Sequence, residues 1–242
     1  MNLTYKGGNA LNLIFDLDDT LYNLMEPFEL THKKLYADKT DVDCTELFMQ
    51  SRVYSDEIME GEKKGLIPHE DCFYLRIKRT YHDVGIEISR EDANTFEQLY
   101  RDFQKEIALG RGVAEFLDYC KEKNVFMAIL TNGRPKPQHA KAVALGLDKW
   151  FDDDHIFISG GIGYQKPDPQ AFKYVEKAFS LDPEETWYIG DTYEADIVGA
   201  SRAGWNTVWF NHRNRVCPEK CRANVTIKNI EELKMLVKNQ TF

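Results

Sequence analysis

The stretch Leu11-Asn12-Leu13-Ile14-Phe15-Asp16-Leu17-Asp18-Asp19-Thr20-Leu21 decides the fold. Its apolar run, Leu11–Phe15, stops abruptly at three carboxylates within four positions, Asp16, Asp18 and Asp19. A short apolar run ended by a polar break reads as a buried strand. A strand apolar along its whole length suits a parallel sheet covered on both faces. In such sheets ligands bind beyond the carboxyl ends of the strands, which is where these acids fall. Carboxylates this close raise one another's proton affinity unless a cation sits among them, and a divalent, oxygen-seeking metal is the simplest candidate. Taken alone, Asp18-Asp19-Thr20 reads equally well as a polar turn with an N-cap, so the rest of the chain must supply matching parts.

The second half of the chain repeats the strand-then-break pattern. After Gly110-Arg111-Gly112 a helix over Val113–Lys123 leads into an apolar run, Val125–Leu130, that ends in Thr131-Asn132-Gly133. A helix over Gln138–Leu145 follows, then a short strand, His155–Ser159, and a glycine-rich loop, Gly160–Gly163. Lys166-Pro167-Asp168-Pro169 opens a helix through Phe179, with proline where a first turn tolerates it. Thr186–Ile189 is a strand ending at Gly190-Asp191, Glu194–Ala203 a helix, Asn206–Phe210 and Val225–Ile227 strands, and Asn229–Val237 a closing helix. Strands alternating with helices predict an α/β fold with a doubly wound parallel sheet.

Residues 22–107 break that rhythm. Helices are expected near Glu26–Ala37, Thr45–Glu60, Glu70–Val84 and Arg90–Ile107, with Gly61 and Gly65 bracketing one break and Gly85 as a C′ residue. Ser89 and Asp92 have the spacing of a capping box. The aromatics Phe73, Tyr74, Tyr81, Phe96, Tyr100 and Phe103 recur at helical spacing and predict the core of a helical bundle. This block is too long for a simple connection. It is expected to be an inserted α-helical cap domain, residues 21–107, set as a lid over the acidic strand end of a core formed by 1–20 and 108–242.

Four segments can then face one crevice: Asp16-x-Asp18-x-Thr20, Thr131-Asn132-Gly133, Lys166-Pro167, and Gly190-Asp191-x₄-Asp196. Each alone is an ordinary turn or helix start. Together, in this order and each at a strand end or helix start, they resemble the haloacid dehalogenase-like superfamily, in its magnesium-dependent phosphatase branch with a helical cap. The resemblance runs from about Leu11 to Phe210 and implies a Rossmann-like core, Mg²⁺ as cofactor and a small phosphorylated metabolite as substrate. Phosphoryl transfer from a monoester needs an in-line nucleophile, charge neutralisation and a proton for the leaving oxygen. Asp16 is expected to be the nucleophile, forming an aspartyl-phosphate. Asp18 is expected to be the general acid and then base, and its main-chain carbonyl is a metal ligand by the resemblance. Asp191 resembles the family's further metal ligand, and Asp196 one that acts through water or a neighbour. Thr131, Asn132 and Gly133 would bind phosphate oxygens, with Lys166 as the balancing charge.

An acid at position 18 favours phosphoryl transfer over dehalogenation, because an alkyl halide leaves without a proton. The run Asp16–Tyr22 and Gly190–Ala200 resemble nucleotidase-type members, including pyrimidine 5′-nucleotidases, which points to a nucleoside 5′-monophosphate or another small phosphomonoester. The alternatives are a β-phosphoglucomutase-like mutase, a phosphonate hydrolase using a cap lysine, and a catalytically silent binding protein. Gly110-Arg111-Gly112 departs from the Pro-Gly that family members often carry at the cap's return.

Bulk properties narrow the class. The chain has 242 residues, 43% hydrophobic and 29% charged, with a net charge of −9 and a pI near 5.2. A nucleic-acid polymer would call for a basic face, so none is expected as partner. No apolar stretch approaches the roughly 20 residues of a membrane helix, and Met1–Asn9 lacks the apolar core of a signal peptide. Five cysteines, an odd number, fit free thiols in a reducing cytoplasm; Cys217 and Cys221 lack a second pair with zinc-site spacing.

Overall fold

The computed structural model describes residues 11–217 and 221–239; the segment Met1–Asn9, read above for a leader, lies outside them. The chain divides into two compact units, Met1–Asn23 with Ala108–Phe242, and Leu24–Ile107.

The first unit is built on a parallel sheet of strands β1 (Asn12–Phe15), β2 (Phe126–Thr131), β3 (Ile156–Ile158), β4 (Thr186–Gly190), β5 (Asn206–Phe210) and β6 (Val225–Ile227), in the order β3-β2-β1-β4-β5-β6. The strand that opens the chain therefore lies in the middle. Phe15 is in register with Ile129 on one side and Ile189 on the other, and the Asp16 amide extends the ladder to Ile189 O (2.8 Å). The residues just beyond this line, Asp16, Thr131 and Asp191, emerge side by side at the carboxyl edge. The order reverses across β1, the place where open α/β sheets form a crevice.

The second unit is helical: α1 (Glu26–Tyr36), α2 (Cys44–Lys63), α3 (His69–His82) and α4 (Arg90–Gln104). Its core is aromatic, with Phe28 against Phe48 and Phe96, and Tyr36 and Tyr81 against Phe96. Of the six aromatics singled out by spacing, Tyr81 and Phe96 are fully buried, whereas Phe73, Tyr74, Tyr100 and Phe103 are half-buried. The Ser89–Asp92 capping box forms with both reciprocal bonds. Gly61 does not break a helix. It lies inside α2, where a side chain would come within 2.7 Å of Ile67; Gly65, at φ 69°, is the residue that ends the run. Gly85, also at positive φ, stands two residues beyond the Asp83 cap rather than next to it.

Helices cover both faces of the sheet: α5 (Val113–Glu122), α6 (Pro135–Ala144), α7 (Ser159–Ile162), α8 (Pro169–Phe179), α9 (Gly199–Ala203) and α10 (Ile230–Asn239). Leu13, Ile14 and Phe15 are fully buried. Ile14 packs with Ala128, Leu130, Phe172, Tyr188 and Trp205, while Phe15 meets Phe116 and Phe151 edge-on. This is the doubly wound architecture that an uninterrupted apolar β1 implies. Among the described residues no helix is long and apolar enough to cross a membrane.

Three local expectations change. The run Gly160–Gly163 is not an open loop: Ser159–Ile162 make one helical turn, closed by Gly163. Helix α6 begins at Pro135, which suits a first turn, rather than at Gln138. The helix expected over Glu194–Ala203 starts as a wide π-turn, Tyr193–Val198, and becomes α only at Gly199. That wide turn carries Asp196 inward, in keeping with the occurrence of π-turns at functional sites.

Candidate active site

The site lies wholly within the first unit, at the carboxyl edge of β1, β2 and β4. Its centre is Lys166, whose side chain is 2% exposed. The Lys166 ammonium donates to Asp16 Oδ1 (2.8 Å), Asp196 Oδ1 (2.7 Å) and the Tyr188 hydroxyl (2.6 Å), so each of its protons has an acceptor. Burial alone would lower its proton affinity; Asp16 and Asp196 more than reverse this and hold it charged. The Tyr188 hydroxyl in turn donates to Leu130 O (2.6 Å).

Lys166 is brought in by its own backbone. Asn132 accepts from the Lys166 amide and donates to the Lys166 carbonyl, both at 2.9 Å, which ties the end of β2 to the start of α8. The Lys166–Pro167 peptide is cis. Asn132 therefore acts as a bracket between loops. The Gly133 amide donates to Ser159 Oγ (3.0 Å), so this amide, expected at a phosphate oxygen, is committed to α7. The Thr131 hydroxyl accepts from Gln138 Nε2 (2.8 Å).

On the β4 side, Asp196 accepts from the Thr192 amide (2.8 Å) and folds back beneath Gly190. A side chain at position 190 would come within 2.4 Å of the Asp196 carboxylate, which explains the glycine before Asp191. Asp191 pairs with Arg215 (2.8 Å). Asp16, Asp191 and Asp196 are all buried, and one carboxylate oxygen from each lies within 4.8 Å of the others. Burial, with Asp196 and Asp18 adding repulsion, pushes the Asp16 carboxyl up to about 7 against the pull of Lys166. Burial and Asp196 push Asp191 up to about 8, with Arg215 opposing. Converging oxygen donors with that need for positive charge fit a hard divalent cation.

Asp18 faces a different partner. Its carboxylate takes a bidentate grip from Lys141 (2.7 and 2.8 Å), with Tyr22 OH at 2.5 Å and Gln138 Nε2 at 3.2 Å. The Asp18 carboxylate is thus outside the trio of Asp16, Asp191 and Asp196. Asp19, in the left-handed region at φ 59°, turns the opposite way into a fork from Arg213 (2.5 and 2.6 Å). Burial would raise the Asp19 carboxyl, but the bonds from Arg213 and His212 hold it well below the usual range.

Sequence reading does not single out Gln138, Lys141, Tyr188, Arg213 or Arg215 as site residues. The signals were faint: a glutamine and a lysine three apart on one helix face after Thr-Asn-Gly, and a cationic run, His212–Arg215, after β5. Five carboxylates, Asp16, Asp18, Asp19, Asp191 and Asp196, now face four cations, Lys141, Lys166, Arg213 and Arg215. With Asp16 and Asp191 ionised, the carboxylates outnumber these cations, which a bound divalent cation would offset.

Residues 12–204 match the family model described as haloacid dehalogenase-like hydrolase. The chain belongs to this family of hydrolases. It is 34% identical to the pyrimidine 5′-nucleotidase YjjG of Escherichia coli K12, over 93% of this chain and 96% of that protein. It is 26% identical to a glyceraldehyde 3-phosphate phosphatase of Pyrococcus abyssi, over 93% of this chain and 92% of the other. Among solved structures it is similar to the HAD-hydrolase YfnB of Bacillus subtilis bound to magnesium, with a TM-score of 0.72 and 26% identity over 95% of this chain and 99% of that one.

Proposed function

We propose that this hydrolase is a Mg²⁺-dependent phosphatase that cleaves a small phosphomonoester through an aspartyl-phosphate on Asp16. The observation that carries the reading is the buried trio Asp16, Asp191 and Asp196 gathered around Lys166. Asp16, Asp191 and the Asp18 carbonyl would hold Mg²⁺, which would supply the charge that lets a carboxylate approach a phosphate. Asp16 is the nucleophile, its carboxylate kept from rotating by Lys166. Asp196 acts through Lys166 and through the Thr192 amide, fixing the turn that presents Asp191. Thr131 and the loop braced by Asn132 line the phosphate's place.

Asp18 delivers the proton to the leaving alcohol and then takes one from the attacking water. Lys141 and Gln138 set its direction. The helical unit, Leu24–Ile107, serves as the cap that selects the substrate. YjjG and the Pyrococcus abyssi protein bear different substrate names, and a small phosphomonoester is what those names share. Pyrimidine nucleoside 5′-monophosphates are the first substrates to test, on the strength of the YjjG match. The compartment in this reading is the cytoplasm.

The test is turnover of p-nitrophenyl phosphate and a panel of phosphomonoesters, with and without Mg²⁺, by wild type and Asp16→Asn. Metal-dependent turnover lost in the variant is the expected result. No metal-dependent turnover on any ester would end the proposal.

A further inference from the structure

We propose a second metal site, of the zinc class, at the hairpin between α2 and α3, held by Glu62, His69 and Cys72. It lies entirely within the helical unit and does not depend on the phosphatase reading. Glu62 is in the last turn of α2, His69 opens α3, and Cys72 follows three residues on, which puts it on the same helix face as His69. Each offers one donor atom, and the three donor atoms lie within 4.8 Å of one another.

His69 Nδ1 and Glu62 Oε1 are 3.1 Å apart, close to the roughly 3.3 Å edge that two bonds of about 2.0 Å subtend at a tetrahedral ion. The Cys72 thiol donates to Pro68 O at 3.4 Å, so the sulfur sits at the first turn of α3, beside His69. The side chains of His69 and Glu62 are 64% and 27% exposed, so an ion reaches them without opening the core.

The donor set selects the ion. One imidazole, one carboxylate and one thiolate suit zinc, with water in the fourth position. Magnesium requires oxygens and octahedral geometry. The rim trio of the first unit is all carboxylate, so the two sites sort the two cations between them. On binding, a metal–sulfur bond forms and the Cys72 proton leaves to solvent. An exposed Glu–His pair contributes little alone; with an ion, the same donors clip the end of α2 to the start of α3 across the turn at Lys64–Pro68.

Cobalt(II) tests this, because only a site with sulfur gives thiolate-to-cobalt charge-transfer absorption and the rim has none. The full chain carries Cys217→Ser and Cys221→Ser to remove the exposed thiols. One equivalent of cobalt is expected to produce the band, zinc to displace it, and excess Mg²⁺ to leave it unchanged. Cys72→Ser removes the band, and His69→Ala weakens cobalt binding by about tenfold or more, with helical circular dichroism unchanged in both. Zinc raises Tm by a few degrees in the parent and not in Cys72→Ser. Absence of the band, or a band of equal affinity in Cys72→Ser, overturns the site.

Discussion

Two lysines serve two of the three aspartates at the β1 edge, Asp16 and Asp18, and their surroundings differ. Lys166 is sealed, with a side chain 2% exposed, and is shared between two buried carboxylates and a phenol. Lys141 reaches Asp18 from the inner face of α6, in a pair whose side chains are 10% and 25% exposed. The first arrangement cannot relax without leaving buried charges unpaired. The second holds its carboxylate by a solvent-bordered grip that an arriving substrate can loosen. In the proposed mechanism the nucleophile has to be stationary and the proton carrier has to let go, and the two environments suit those two roles.

The largest effect should come from breaking the sealed side. Lys166→Met leaves Asp16 and Asp196 facing each other, at a cost of about 3–5 kcal/mol in unfolding free energy. It should also lower kcat by about 10²–10³ through lost charge stabilisation. Chemical denaturation and steady-state kinetics on the same preparation check both. Gly190→Ala comes next. The added methyl must displace the Asp196 carboxylate, and an overpacking cost of about 1–3 kcal/mol is expected, together with weaker Mg²⁺ activation measured by metal titration.

Loosening the open side should do less, and selectively. Lys141→Met is expected to lower kcat about tenfold on alkyl phosphates, a fraction of what general acid catalysis supplies. It should barely change turnover of p-nitrophenyl phosphate, whose leaving group needs no proton. Equal losses on both substrates would assign Lys141 to phosphate binding instead.

A separate effect is on stability against pH. Asp16 and Asp191 sit at about 7 and about 8 against an ordinary value of 3.8. The native state therefore keeps protons that the unfolded chain has already shed, so their contribution falls as pH rises from about 4 to 8. Without metal, Tm should decline from pH 5 to pH 8; with Mg²⁺, which replaces those protons, the decline should flatten. Thermal melts in chelator and in Mg²⁺ compare the two slopes.

This contrast also marks what was legible in the sequence. Asp16, Lys166 and Asp191 could be read because each stands at the end or start of a regular element, where the backbone dictates position. The sheet could be read for the same reason, since apolar runs with polar stops report burial directly. Lys141, Gln138, Tyr188 and Arg215 could not. Lys141 is 123 residues from its partner Asp18, and nothing local distinguishes a lysine turned inward on a helix from one in water. The wide turn at Tyr193–Val198 was not legible because the bond that accompanies it, from the Lys166 ammonium to Asp196, is tertiary. In the helical unit periodicity found the helices but not which aromatic faces inward, because that depends on which helices pair.

The most direct test of the account is to trap the intermediate on Asp16. Wild-type enzyme mixed with excess substrate and Mg²⁺, quenched in acid and reduced with borohydride, should convert residue 16 to homoserine, read by mass spectrometry of the Leu11–Leu21 region. The modification should be absent without Mg²⁺ and in Asp16→Asn. Turnover with residue 16 unmodified, or with the label on another side chain, would contradict the account.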